Sequence, residues 1–231
     1  MNLAIVGYGK MGRLIEQLAP EYGCAVALKL DEFDNADFAG ITPENFRGID
    51  VAVEFSTPAT VVENIERIAA LGVNLVVGTT GWLEHLERVR SVVEKTGTGL
   101  VWGPNFSVGA NVFFRLAAEA ARLFAAQEDY GAWGWEIHHS TKKDAPSGTL
   151  LKLVDEMKKA GYPRAIDLSS SRAGRHPGTH ELGFDSAADT VTLRHVVRSR
   201  EGFARGALKA ARWVAGKKGV FEFSEVLFGR S

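Results

Sequence analysis

Over its first hundred residues the sequence alternates short apolar runs with segments of helical periodicity, and this alternation constrains the fold more than any other feature. The runs predicted as strands cover residues 3–6, 26–30, 51–55, 74–77 and 100–102. The segments predicted as helices cover residues 11–18, 58–71 and 82–95. Strands and helices that take turns form βαβ units around a parallel sheet. This part of the chain is therefore predicted to have an α/β fold of the Rossmann type.

The pattern changes after residue 106. Helices are predicted over 111–126, 146–159 and 204–215, and alternating strands over 132–139 and 190–197. Residues 164–190 are rich in Ser, Gly, Arg, His and Asp, so a long, partly mobile loop is expected there. The chain is thus predicted to form two domains. Residues 1–106 with 204–231 make a dinucleotide-binding domain, and residues 107–203 make a C-terminal α+β domain with a mixed or antiparallel sheet.

The composition argues against several classes of protein. A formal net charge of -1 over 231 residues is not that of a nucleic-acid-binding protein. The one cysteine, Cys24, cannot form an intrachain disulfide and favours a reducing compartment. The sequence shows no signal-peptide pattern, and no apolar run approaches the ~20 residues that cross a bilayer. We therefore expect a cytoplasmic protein that binds neither nucleic acid nor membrane.

A glycine-rich turn joins the first predicted strand to the first predicted helix. Gly7, Gly9 and Gly12 form the pattern G-x-G-x-x-G, with Lys10 and Met11 between the last two glycines. Such a turn lets the backbone approach a pyrophosphate, which then faces the N–H groups of the helix start. Asp31 ends the second strand, where a carboxylate can accept hydrogen bonds from a ribose diol. The alternative is a plain turn with packing glycines and a solvated loop acid.

Two further segments close predicted strands. The run Phe55-Ser56-Thr57-Pro58 follows the third strand, and Gly78-Thr79-Thr80-Gly81 follows the fourth. Ligands of open α/β sheets bind at the carboxyl ends of the strands. Both segments are therefore placed to contact the ribose and nicotinamide ends of a dinucleotide, although ordinary helix starts have the same composition.

The most specific pattern lies between residues 136 and 149. His138 can act as an acid near neutral pH, and Lys142 or Lys143 can supply a positive charge. At the start of the next helix, backbone N–H groups and two hydroxyls can hold a carboxylate, and they belong to Ser147, Gly148 and Thr149. The segment predicts a site that binds a carboxylate and protonates a group beside it. No metal is expected, because His138 and His139 point to opposite faces of a strand and no third ligand has suitable spacing.

This segment resembles the signature E-x-H-H-x-x-K-x-D-A-P-S-G-T of the 4-hydroxy-tetrahydrodipicolinate reductase family. The resemblance extends from residue 7 to about residue 215. Its other motifs are the family's GTTG at residues 78–81, N-F-S-x-G at 105–109, R-x-G…H at 172–180, and H-x-x-x-S-R at 195–200.

The resemblance implies a reaction and a role for each residue. Family members reduce a cyclic dicarboxylate to tetrahydrodipicolinate with NADH or NADPH, in lysine and diaminopimelate biosynthesis. His138 would be the general acid, with Lys142 and His139 at the reacting end, and Ser147, Gly148 and Thr149 would hold a carboxylate. The predicted cofactor-binding residues are Gly7, Gly9, Lys10, Met11, Gly12, Asp31, Phe55, Gly78, Thr80, Asn105 and Phe106. Residues 107–203 would then bind the substrate and form the subunit contacts of a homotetramer.

The chain departs from the family pattern at the cofactor. Its glycine turn is one residue shorter than the usual G-x-x-G-R-M-G, and the chain is short for the family. Asp31 and Glu32 stand where a 2′-phosphate would lie, with no arginine next to them, so we expect NADH to be favoured. Lys10 and Lys29 are nearby cations that would soften this preference.

Other assignments remain open from the residues alone. A different Rossmann dehydrogenase would not need the 136–149 run, and a semialdehyde dehydrogenase needs a cysteine nucleophile, for which Cys24 lies in the wrong half. A non-catalytic NAD-sensing module would not need it either. For assembly, two strands carry apolar faces, formed by Trp133, Trp135 and Ile137 and by Val191, Leu193 and Val197. One sheet face can take helices and the other is a candidate subunit interface, unless the helix over 111–126 covers everything.

Overall fold

The structure is a computed structural model that describes residues 1–229. Its strands are β1 Asn2–Val6, β2 Ala25–Leu30, β3 Val51–Glu54, β4 Asn74–Val77, β5 Gly99–Trp102, β6 Gly131–His138, β7 Ile166–Arg172, β8 Thr179–Asp185, β9 Thr190–Val196 and β10 Gly219–Glu222. Its α-helices are α1 Lys10–Leu18, α2 Val61–Ala70, α3 Leu86–Thr96, α4 Val108–Phe124, α5 Gly148–Lys159, α6 Glu201–Val214 and α7 Phe223–Phe228. Within residues 1–229, no helix has both the length and the apolar character that a membrane crossing requires.

The chain divides into two compact units. The first contains Met1–Val108 and Glu201–Ser231, and the second contains Gly109–Arg200. The boundaries lie beside the predicted ones at 106/107 and 203/204. The second unit therefore begins within α4 and ends just before α6.

The first unit has the predicted α/β fold of the Rossmann type. Its six strands are all parallel, in the order β10-β5-β4-β3-β1-β2. Along β1, Leu3 and Ile5 pack with α1 and α6, while Ala4 and Val6 pack with α2 and α3. The strands are apolar on both sides because helices cover both faces of the sheet.

The sequence pattern missed the last strand and helix of this unit. The strand β10 pairs with β5 at the edge of the sheet, and α7 follows it directly. Only Val220 of β10 is buried, so four residues carry too little alternation to be recognised before the partner strand is known.

The second unit has a mixed sheet in the order β7-β6-β8-β9. The strands β6 and β7 are parallel, and the other two pairs are antiparallel. Helices α4 and α5 cover one face, where Phe113 and Leu153 pack in one core with Leu182 and Phe184.

The predicted loop over 164–190 is wrong, because this segment forms β7 and β8. The edge strand β7 is mostly serine and exposed, so it shows no apolar alternation. In β8, His180, Leu182 and Phe184 alternate as buried residues, but histidine and glycine in the run hid the period. Pairing with β6 supplies the hydrogen bonds that the composition alone did not suggest.

The register places the two apolar sets of this sheet on opposite faces. Val191 and Leu193 pair with Phe184 and Leu182, so they belong to the face that the helices cover. Trp133, by contrast, pairs with Gly183, and its ring lies where a Cβ of that glycine would be. The face of Trp133 is therefore not covered by α4, contrary to the alternative in which that helix covers everything.

Candidate active site

The glycine turn lies between β1 and α1. Gly7 has a φ of +93°, and a Cβ there would lie 2.3 Å from the carbonyl oxygen of Phe55. A Cβ on Gly12 would lie 2.6 Å from the carbonyl oxygen of Gly7. Gly9 is different, because a Cβ there would meet nothing within 4 Å and the residue caps α1 without a side-chain hydrogen bond. Gly7 and Gly12 thus serve packing, whereas Gly9 leaves space at the helix start where a pyrophosphate can bind.

Asp31 follows β2 directly. Its Oδ1 accepts hydrogen bonds from the backbone N–H groups of Asp34 at 2.9 Å and Phe33 at 2.8 Å. These bonds lower the pKa of Asp31 and hold its carboxylate in place. Asp31 therefore shapes its own loop, and its predicted contact with a ribose diol stays a prediction.

A charged cluster surrounds Tyr8 in the glycine turn. The Nζ of Lys29 binds Oε1 of Glu16 at 2.9 Å, so this lysine already has a carboxylate partner. The guanidinium of Arg13 lies 4.9 Å from the centre of the Tyr8 ring, and its charge also lowers the pKa of Asp31. Sequence reasoning considered the lysines and missed Arg13, although its place in the first turn of α1 is a usable signal.

The residues that end β3 and β4 fit each other closely. A Cβ on Gly78 would lie 2.2 Å from the Phe55 ring, so only glycine allows that ring to lie across the end of β4. Thr80 is exposed just beyond it. Both Phe55 and Thr80 lie at the carboxyl edge of the sheet, where a dinucleotide is expected.

Phe106 is a core residue. Its side chain is 2% exposed, and its ring centre lies 6.2 Å from that of Phe55 and 4.8 Å from that of Phe223. The side chain therefore supports Phe55 from below and does not present a surface to a cofactor. Asn105 lies in the loop before it, where its Oδ1 accepts from the N–H of Ser107 at 2.8 Å.

The second unit collects buried charges on the helix-covered face of its sheet. Glu136 on β6 is fully buried, and its Oε1 lies 3.0 Å from Nη2 of Arg172. Its Oε2 lies 3.5 Å from Nδ1 of His138 and 3.4 Å from Nε2 of His180. His138 is 8% exposed and His180 is 3% exposed. Three strands therefore meet in one polar cluster, in which the predicted acid His138 is the last residue of β6.

The protonation states follow from these contacts. Burial would raise the pKa of Glu136, but hydrogen bonds from Ser147 and Arg172 more than offset it and lower the pKa to about 2. Burial lowers the pKa of His138, and the charge of Glu136 acts in the opposite direction. Burial and the charge of His138 lower the pKa of His180 to about 4. At neutral pH Glu136 is an anion and His180 is neutral.

The structure distinguishes the two lysines of the segment. The Nζ of Lys142 binds both oxygens of Asp144, at 2.6 and 2.8 Å, and its charge contributes to the lowered pKa of His138. Lys143 is exposed. His139 is half-buried, with Nδ1 2.8 Å from the hydroxyl of Thr141. Lys142 is therefore the lysine that lies at the polar cluster.

The start of α5 is held by hydrogen bonds within the second unit. The N–H of Ser147 donates to Oε1 of Glu136 at 2.9 Å, and its hydroxyl accepts from the N–H of Leu150 at 3.2 Å. These bonds use the N–H of Ser147 for Glu136 and its hydroxyl for the cap of α5. The expected role of Ser147 in a carboxylate cradle stays a prediction. Gly148 and Thr149 follow it in the first turn of α5, with Gly148 exposed.

The cluster also has the composition of a metal site. The ligand atoms of Glu136, His138 and His180 lie within 4.8 Å of one another. The guanidinium of Arg172 binds the same carboxylate, and Lys142 adds a second positive charge near His138. Two cations disfavour a third, and the expectation of no metal stays a prediction.

Comparison with known proteins finds two family segments, and the border between them coincides with the first boundary between the two units. A family model described as dihydrodipicolinate reductase, N-terminus, matches residues 1–106, and its C-terminal counterpart matches residues 109–227. The chain is 35% identical to a 4-hydroxy-tetrahydrodipicolinate reductase from Christiangramia forsetii, over 98% of each chain. It is 36% identical to the enzyme of that name from Methanosarcina barkeri, over 98% of this chain and 99% of the relative. A dipicolinate-bound dihydrodipicolinate reductase from Paenisporosarcina sp. TG-14 has the same fold, with a TM-score of 0.80 and 24% identity over 96% of this chain and 97% of the other.

Proposed function

The chain belongs to the dihydrodipicolinate reductase family, and we propose that it reduces dehydrated 4-hydroxy-tetrahydrodipicolinate to tetrahydrodipicolinate in lysine and diaminopimelate biosynthesis. It is an oxidoreductase that uses NADH or NADPH. The observation that supports the substrate best is the cluster at the end of β6, where the acid His138, the cation Lys142 and a helix start lie in one unit. A small dianion with a reducible double bond fits this chemistry.

The first unit holds the cofactor in this proposal. The open space at Gly9 accepts the pyrophosphate at the start of α1, and Asp31 binds the adenosine ribose. Phe55 and Thr80 contact the nicotinamide half, with the loop of Asn105 and Phe106 behind them. When bound, the reduced nicotinamide supplies the hydride.

The second unit holds the substrate and supplies the proton. Lys142 binds one carboxylate, and the N–H groups of Gly148 and Thr149 at the start of α5 add hydrogen bonds. Lys142 forms an ion pair with Asp144, so a substrate carboxylate must compete with Asp144 for this lysine. The negative charge of a bound dianion raises the pKa of His138, which then gives its proton to the double bond.

The direct test follows the absorbance of NADH with freshly prepared cyclic substrate. We expect steady oxidation that needs both the substrate and the enzyme. His138→Gln should lower kcat mainly, because it removes a proton donor and leaves the carboxylate contacts in place. Lack of turnover in the unmodified enzyme would reject the reaction, and a non-catalytic NAD-binding role would then be the better assignment.

The proposal includes a preference for NADH. Asp31 and Glu32 would repel a 2′-phosphate, and Lys29 is paired with Glu16. Arg13 acts in the opposite direction, because its charge reaches Asp31. We expect kcat/KM to be at least as high with NADH as with NADPH, and comparison of the two in the unmodified enzyme decides it.

The proposal also covers assembly and location. The partly buried Trp133, Trp135 and Ile137 lie on the sheet face that α4 and α5 leave uncovered, which supports a homotetramer built from these sheets. Light scattering at micromolar concentration tests this, and a monomer would reject it. A cytoplasmic location is proposed because the chain has one cysteine, Cys24, which is buried and free.

A further inference from the structure

We propose that Glu136 is a positioning residue that orients His138 for proton donation and holds the start of α5 against the sheet. This inference rests on the proposed function, in which His138 is the acid. Glu136 lies two residues before His138, so both side chains point to the same face of β6. Lys142 and Thr149 are the groups expected to bind the carboxylate. Glu136 makes no hydrogen bond to either of them, so it does not belong to the binding site itself.

One oxygen of Glu136 is held by three donors. Oε1 accepts from the N–H of Ser147 at 2.9 Å, from the hydroxyl of Ser170 at 2.9 Å and from Nη2 of Arg172 at 3.0 Å. These donors come from the cap of α5 and from β7, so one carboxylate joins the helix start to two strands. Because three bonds converge on one atom, the carboxylate has little freedom to rotate.

The other oxygen faces the histidines. Oε2 lies 3.5 Å from Nδ1 of His138 and 3.4 Å from Nε2 of His180. Neither Oε2 nor His138 Nδ1 has a hydrogen-bond partner among the described residues, so these two buried atoms face each other at the distance of a charge contact. A carboxylate at Nδ1 favours a ring that carries a proton there. When His138 gives up its second proton from Nε2, the ring that remains is the Nδ1–H form, which Glu136 stabilises.

The opposite nitrogen of His138, Nε2, lies beside Gly178. A Cβ on Gly178 would lie 3.1 Å from Nε2, so the glycine leaves space that any other residue would narrow. Glu136 on one side and Gly178 on the other therefore direct the ring so that Nε2 is the donating atom. Sequence reasoning overlooked Gly178, whose φ of +134° is a conformation suited to glycine.

Charges on every side set the proton affinity of His138. Lys142 and Arg172 disfavour the imidazolium, and Glu136 and Asp144 favour it. The ring of His180 packs edge-on at 5.0 Å between centres. Asp144 is exposed, so Glu136 is the buried anion that balances the two cations.

The test replaces the carboxylate by its neutral isostere, Glu136→Gln, and measures His138 directly. NMR titration of the imidazole should show a pKa about one unit or more below that of the unmodified enzyme. The ¹⁵N shifts should show that the neutral ring loses its Nδ1–H preference. The pH limb of kcat should move to lower pH by the same amount, so that kcat at neutral pH falls about tenfold while NADH affinity is unchanged.

Glu156→Gln is the matched control. Glu156 lies on α5 of the same unit and pairs with Lys152 at 2.6 Å. It should leave the pKa of His138 and the kcat profile unchanged. A second variant, Glu136→Asp, keeps the carboxylate but moves it further from His138. The pKa of His138 should then lie between its values in the unmodified enzyme and in Glu136→Gln, with part of kcat restored.

An unchanged pKa and tautomer of His138 in both Glu136 variants would overturn the inference, as would an equal loss of kcat at every pH. The NMR readout needs no turnover. If the unmodified protein fails to reduce the substrate but His138 still responds to Glu136, the proposed reaction fails and the positioning of the ring stands.

Discussion

Two glutamates are fully buried in the described residues, one in each unit, and their pKa values are shifted in opposite directions. Glu136 accepts hydrogen bonds from Ser147, Ser170 and Arg172, and its pKa is lowered to about 2. Burial raises the pKa of Glu54 at the end of β3, and the donors that face it are hydroxyl, amide and backbone N–H groups. Both carboxyl groups are shielded from solvent, and their surroundings differ in that Glu136 has a guanidinium beside it. A buried carboxylate keeps its charge more easily where hydrogen-bond donors and a cation are placed beside it.

The two pKa shifts suit the two units. Glu54 accepts from the N–H of Ser56 at 3.1 Å and from the amide of Asn64 at 3.3 Å, and the hydroxyl of Thr79 also lies against it. It therefore joins the loops after β3 and β4, which we propose hold the cofactor. Its raised pKa favours the protonated form, which adds no negative charge near a pyrophosphate, whereas we propose that the charge of Glu136 in the second unit orients a histidine.

The largest expected effect comes from removing Arg172, the cation that lies beside Glu136. Arg172→Met leaves the Glu136 carboxylate buried without its cationic partner, which should lower the free energy of unfolding by about 3–5 kcal/mol. Urea denaturation at neutral pH measures this. The double variant Arg172→Met with Glu136→Gln should recover much of the loss, because no charge is then left unpaired.

Arg122→Met is the matched control for this prediction. Arg122 pairs with Glu119 on α4, both side chains are exposed, and its removal should cost less than about 1 kcal/mol. Equal losses from the two arginine variants would mean that the buried pair has no special role, and the comparison of the two glutamates would lose its basis.

The next effect concerns the cation that we propose binds the substrate. Lys142→Ala should lower kcat/KM for the dicarboxylate about a hundredfold or more, since it removes a charged contact to a dianion. NADH affinity should not change, because the lysine lies in the second unit. Lys143→Ala is the control and should have little effect. The reverse pattern would show that Lys143 is the substrate-binding lysine.

The strands could be predicted where the sequence itself carries a clear apolar pattern. Strands β1, β3, β4 and β5 of the Rossmann-type sheet are buried on both faces over most of their length, so their apolar runs were visible without a partner. The strands β7 and β10 were missed because each lies at a sheet edge and buries little. Their existence depends on hydrogen bonds to β6 and β5, which no local pattern contains.

The candidate site could be predicted only for residues that lie close together in the sequence. His138 and Lys142 lie in one short run, so their proximity follows from the sequence. The contacts of Glu136 depend on Arg172 and His180, which are 36 and 44 residues further along and come from β7 and β8. The inward direction of the Ser147 N–H could not be predicted either, because it depends on where that carboxylate lies.

A smaller effect is expected from the two acidic residues, Asp31 and Glu32, that we propose lie near the adenosine ribose of the cofactor. Asp31→Ser with Glu32→Arg removes two negative charges and adds a positive one, so the ratio of kcat/KM values should move toward NADPH by about ten- to hundredfold. Arg13→Ala is the control, because loss of its charge near Asp31 should move the ratio toward NADH. If Arg13→Ala has no effect and the double variant keeps the original preference, the cofactor is selected elsewhere.

The smallest effect is a pH dependence that tests Glu54 itself. Its pKa in the folded protein is raised above the unfolded value, so its contribution is fully present at low pH and is lost as pH rises through the folded pKa. Glu136 has the opposite sign, because its pKa is lowered to about 2 and its contribution is lost as pH falls toward that value.

Glu54→Gln keeps the neutral shape of the protonated acid and removes the titration. At pH 5 we expect Glu54→Gln and the unmodified protein to have similar free energies of unfolding. As the pH rises, the variant should become the more stable of these two proteins. Each unit by which the pKa of Glu54 is raised adds about 1.4 kcal/mol to that difference once the pH exceeds the folded pKa. Urea denaturation of both proteins between pH 5 and pH 8 measures it, with Glu136→Gln as the contrasting variant, which should be destabilised throughout this range. Parallel curves for Glu54→Gln and the unmodified protein would mean that Glu54 does not titrate there, and that burial without a cation does not make this carboxylate neutral.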